Sequence, residues 1–133
     1  KPGASIVAIS ATHAFRPVPL QAHVCAGKAG VDILIKTLAI EWGPAGVRAN
    51  IVTPGPVDDT EGMRRLAPSQ EIRARLTEAI PLRRFAAKDE VASLALFLCT
   101  DAAAYITGAI FVCDGGQSLT GSSFAAALTE PLT

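Results

Sequence analysis

Residues 21–57 read QAHVCAGKAGVDILIKTLAIEWGPAGVRANIVTPGPV, and this stretch decides the fold class. Val24, Lys28, Val31, Ile35, Leu38 and Trp42 recur at three- and four-residue steps, the spacing of one side of a helix. Ala-rich positions beside them permit close packing. Gly43-Pro44 predicts the end of that helix, with Gly46 continuing the turn. Val47 to Thr53 then takes on the short apolar character of a strand, which Pro54-Gly55-Pro56 stops.

The flanks extend this unit. Residues 4–10, ASIVAIS, form an apolar, β-branched run suited to a strand buried on both faces. Pro17 and Pro19, either side of Val18, make residues 11–20 a loop. Downstream, residues 58–68 are polar and predict a loop or short helix. Residues 69–79 predict a helix with Ser69 as N-cap, broken by Pro81. Residues 88–100 predict another, with Asp89 and Glu90 in its first turn. Ala109 to Cys113 reads as a last strand ending at Asp114-Gly115-Gly116. The tail from Gly121 is small and polar and reads as loose. Strands joined by helical crossovers imply an α/β fold with a parallel sheet flanked by helices. Ligands in such sheets bind at the carboxyl ends of the strands, here Ser10–His13, Pro54–Thr60 and Asp114–Gly116.

Composition narrows the function classes. The 133 residues are 50% hydrophobic, and 12 Lys and Arg balance 12 Asp and Glu. Neutrality argues against a nucleic-acid or membrane-surface partner, which needs a basic excess. Lys36, Glu41 and Arg48 interrupt the longest apolar run, so no membrane span is expected. Cys25, Cys99 and Cys113 form no disulfide framework, and Cys99 and Cys113 read as small buried residues. His23 and Cys25 have no second ligand pair, so no metal site is expected.

Three segments carry a resemblance: AGKAGVDILIKTLA (26–39), LAIEWGPAGVRANIVTPGPV (38–57) and IPLRRFAAKDEVASLALFLCTDAAAYITGAIFVCDGG (80–116). Together they resemble the C-terminal half of the short-chain dehydrogenase/reductase family, whose Rossmann-type sheet binds a nicotinamide cofactor. Within it, Ile9-Ser10-Ala11-Thr12 with Gln21, His23 and Lys28, the Glu41-Trp42-Gly43-Pro44 run, and Pro54-Gly55-Pro56-Val57 with Thr60 to Leu66 are similar to the 2,4-dienoyl-CoA reductases, peroxisomal type.

The resemblance implies roles. Lys28 stands at the family's catalytic Lys and would hold the nicotinamide ribose. The family's proton-donating Tyr falls at Val24 and its Ser at Ala11, so carbonyl reduction by the usual trio is excluded. Dienoyl-CoA reductases also lack that Tyr position, and charge develops on the thioester oxygen. A Tyr of the mitochondrial relatives falls at His13, which makes His13 the first candidate donor, with His23 a second. Ser10, Pro54, Gly55, Val57 and Thr60 are implied on the cofactor side. Strand alternation would point Ser10 and Thr12 away from Ala11, unless the strand has already ended. Thr12, Arg64 and Arg65 are implied on the substrate side, the arginines against CoA phosphates within a mobile lid. Tyr105 is too distant in the pattern to serve as the missing acid.

The family's Gly-rich phosphate turn has no match here. The expectation is therefore a C-terminal half-domain at 1–120, with a lid-like segment near 58–80 and a tail at 121–133, which alone binds dinucleotide weakly. The whole protein is expected to use NADP, with NAD possible, on an acyl-CoA, as a homo-oligomer (dimer or tetramer). The last four residues, EPLT, carry no peroxisomal signal, so a cytoplasmic setting is expected. Two other readings stay open: a reductase or dehydrogenase on another carbonyl or alcohol, and a non-catalytic binding protein.

Overall fold

The computed structural model describes residues 3–121 and 126–127. Most of the 121–133 tail therefore lies outside the described residues. Strands β1 (Ser5–Ile9), β2 (Arg48–Pro54) and β3 (Ile110–Cys113) form one sheet in that order, all parallel. Helix α1 (Ala22–Trp42) connects β1 to β2. Between β2 and β3 come α2 (Glu61–Leu66), α3 (Gln70–Glu78) and α4 (Lys88–Cys99).

Period-two alternation along the central strand builds the two layers. Ala49 and Ile51 face α1 and pack with Ile35 and Ala39. Val52 faces the other side and packs with Leu98 of α4 and Ala103. Both sides of β2 are thus buried, which is why it reads as a continuous apolar run. Asn50 is buried within this strand, and its side chain donates to Ile106 O (2.8 Å) and accepts from Ala109 N (3.1 Å). That bond pair holds the entry to β3 beside β2. A third cluster, Met63, Leu76, Ile80 and Phe85, gives α2 and α3 a core of their own.

Several expectations change. The helix does not stop at Gly43. Gly43 remains helical, Pro44 sits in the first turn of a 3-10 segment at Gly43–Ala45, where its missing N–H costs nothing, and Gly46 ends it at φ 76°. Part of the 11–20 loop is likewise a 3-10 turn, Thr12–Ala14. Trp42 is exposed, and buried Asp32 and Ala39 join Ile35 instead. Cys99 is exposed, because it closes α4 one residue beyond buried Leu98. Ser69 caps α3 as expected, accepting from Ile72 N. Among the described residues, no helix is long and apolar enough to cross a membrane.

Candidate active site at the strand ends

The carboxyl ends of all three strands meet at one cavity of about 420 Å³. Ile9 to His13 follow β1, Pro54 to Val57 and Thr60 leave β2, and Gln117 follows β3. Gly62, Met63 and Leu66 of α2 form an apolar wall, and Lys28 enters from α1. Parallel strands end together, so residues far apart in sequence converge at this edge.

Lys28 Nζ donates to the Ile9 carbonyl at 3.0 Å, which pins the ammonium to the end of β1. An ammonium has three N–H donors, so two remain. Ser10 and Thr12 are buried and both line the cavity with Ala11. The strand ends at Ile9, so alternation no longer separates these three residues. Thr60 caps α2: its hydroxyl accepts from Met63 N (3.3 Å) and donates to Val57 O (2.8 Å). Its single O–H is committed there, so toward a ligand Thr60 can only accept. Gly55 is pressed against β3, since a Cβ there would lie 2.8 Å from Asp114 Cα.

Among the described residues, five buried side-chain polar atoms lack a hydrogen-bond partner. Three of them, Ser10 Oγ, His13 Nδ1 and Gln117 Oε1, belong to residues that line this cavity. Unsatisfied buried polar atoms are costly, and their concentration in one apolar cavity marks a place built to receive polar groups. His13 Nε2 is already engaged, 2.9 Å from Gln21 Oε1.

Three sequence-stretch candidates stay outside. His23 is exposed on α1, about 100° around the helix from Val24, and does not line the cavity. Arg64 pairs with Asp59 (3.1 Å) and Glu61 (3.2 Å), and Arg65 pairs with Glu61 (2.8 Å). Both arginines are exposed, and neither lines the cavity. Tyr105 is fully exposed. Nearby, Arg73 and Lys88 hold the carboxyls of Asp58 and Asp59 below the usual carboxylate range, by hydrogen bond first and by charge second. Gln117 was missed in the sequence reading, which ended the third strand's ligand edge at Gly116. One residue further would have reached it. Gln21 and Arg16 were not weighed as site residues, because nothing local marks their partners.

Comparison with known proteins agrees with this layout. The family model described as Enoyl-(Acyl carrier protein) reductase matches residues 1–118. The chain is 47% identical over 121 residues to a zebrafish (Danio rerio) peroxisomal 2,4-dienoyl-CoA reductase, covering 91% of this chain and 40% of that protein. It is 42% identical over 115 residues to a probable 2,4-dienoyl-CoA reductase of Bacillus subtilis, covering 86% of this chain and 45% of the relative. The chain thus spans less than half the length of these relatives. A gluconate 5-dehydrogenase from Burkholderia cenocepacia, solved with NADP and tartrate, superposes with a TM-score of 0.82 at 28% identity, covering 88% of this chain and 46% of that one. By the family model and the shared parallel sheet, the chain belongs to the short-chain dehydrogenase/reductase family of nicotinamide-dependent oxidoreductases.

Proposed function

We propose that the chain is the reactive half of an NADP(H)-dependent reductase that acts on a 2,4-dienoyl-CoA thioester. The observation that carries this reading is the cavity itself. Lys28 and three unpartnered polar atoms line it, while Ala11 stands where a carbonyl reductase keeps its Ser. The dienoyl-CoA reductase names of the relatives supply the substrate class.

The residues fit a nicotinamide ribonucleoside. Lys28 has two N–H donors for ribose hydroxyls, and the buried Ser10 hydroxyl seeks a partner. Val57 offers its N–H to a carboxamide oxygen, and Thr60 accepts from a carboxamide N–H. Pro54 and Gly55 present a flat backbone surface to the ring. When bound, the reduced nicotinamide supplies a hydride. His13 supplies the hydrogen bond and proton for the thioester side, and Thr12 with the α2 wall holds the acyl chain. His23 takes no part. Exposed ion pairs contribute little, so Arg64 and Arg65 exchange a carboxylate for a CoA phosphate at small cost. The whole protein is a homo-oligomer in this reading, because Ile33, Leu34 and Ile40 leave an apolar outer side on α1.

The test is steady-state NADPH and NADH oxidation by the full-length protein with a 2,4-dienoyl-CoA and with a 3-oxoacyl-CoA. Turnover is expected with NADPH and the dienoyl substrate, and Lys28→Met lowers kcat/KM by about 10²-fold or more. Turnover with the 3-oxoacyl substrate alone identifies a carbonyl reductase instead. No turnover with either identifies a binding protein.

A further inference from the structure

We propose that Gln21 is a positioning residue that selects the ring form in which His13 works, an inference that rests on the reading of His13 as proton donor. The Gln21 amide oxygen lies 2.9 Å from His13 Nε2. A carbonyl oxygen only accepts, so Nε2 carries the hydrogen. The other ring nitrogen, Nδ1, is buried without a partner on a residue that lines the cavity. Gln21 is itself held: its N–H donates to Val18 O (3.2 Å) and its carbonyl accepts from Cys25 N (3.0 Å).

This geometry sets a direction for the proton. A neutral ring with Nε2–H presents a bare lone pair at Nδ1, which accepts and cannot donate. The imidazolium carries hydrogens on both nitrogens, and its Nδ1–H points to the cavity. Reduction of one C=C bond needs a hydride, which the nicotinamide cofactor supplies, and a proton. The proton leaves Nδ1 for the substrate, a new bond to hydrogen forms there, and the electron pair of the broken N–H bond stays on the ring. The product is the neutral Nε2–H form, which is the form that Gln21 holds. The hydrogen bond to Gln21 therefore persists through the transfer.

The charged neighbours are cations. Lys28 lines the same cavity from α1, and Arg16 lies in the same loop. Among the described residues, no carboxylate lines the cavity. A neutral amide therefore orients this ring, in contrast to the carboxylate of a Ser-His-Asp arrangement.

The test uses the intact protein with ¹⁵N-labelled histidine rings. Long-range ¹H–¹⁵N spectra report which nitrogen of His13 carries the hydrogen, and the dienoyl-CoA assay runs in parallel. The expected result is Nε2–H in the wild type and a shift toward Nδ1–H in Gln21→Leu, whose kcat falls by roughly tenfold or more with KM nearly unchanged. Gln21→Glu keeps an acceptor oxygen and restores the Nε2–H form. An unchanged ring form in a folded Gln21→Leu protein overturns the inference alone, if His13→Gln has lost turnover. Full turnover in His13→Gln overturns the donor reading, and this inference with it.

Discussion

Arg16 Nη1 donates to the backbone carbonyl of Gln117 at 3.0 Å, tying the loop after β1 to the turn after β3. These two segments carry His13 and Gln117, two of the cavity's unpartnered polar residues. Arg16→Ala removes a charge-assisted bond, so a loss of about 1.5–3 kcal/mol in unfolding free energy is expected. Urea denaturation measures that loss. The same variant raises KM for the acyl substrate, because the two segments are no longer held together.

Gly55 and Gly62 line the same cavity but predict opposite outcomes. A Cβ at Gly55 meets the Asp114 backbone at 2.8 Å, and backbone cannot swing aside. Gly55→Ala thus destabilises by about 1–3 kcal/mol and reshapes the cavity floor. A Cβ at Gly62 meets nothing within 4 Å, and the residue lies in α2. Gly62→Ala leaves stability unchanged or raises it by up to about 1 kcal/mol. Thermal unfolding of both variants checks the contrast.

Thr60 joins the β2 exit to α2 through its two bonds. Thr60→Ala costs about 1 kcal/mol as a lost N-cap and frees the Val57–Thr60 turn. Thr60→Ser keeps the hydroxyl and restores both stability and NADPH affinity. Calorimetry and NADPH titration separate the two effects.

Glu90 sets an acid limit. The Arg84 guanidinium, and after it the Ala87 N–H, lower its pKa from 4.5 to about 2. A folded-state pKa below the unfolded value contributes stability that is complete above about pH 4.5 and is lost as pH falls toward about 2. Asp58 and Asp59 shift in the same direction, against Arg73 and Lys88. Glu90→Gln is expected to flatten the fall of the urea midpoint across that interval. Added salt weakens the wild-type dependence, because the pair is exposed.

Much of this protein was legible in the sequence because the signals are local. Period-two and period-3.6 patterns placed all three strands and α1, α3 and α4 within about a residue or two. Ser69 announced its cap, and Lys28 stood out as a cation on an apolar helix side. The strand-end rule placed Ser10 to His13 and Pro54 to Thr60 at one edge. Tertiary structure alone decided the rest. It exposed Trp42, His23 and Cys99, gave Arg64 and Arg65 their carboxylates, and brought Arg16 to Gln117 across the sheet edge. Periodicity reports which residues share a side of an element. Which side is covered, and which distant partner reaches a given side chain, depends on how separate elements pack, and that information is spread over the whole chain.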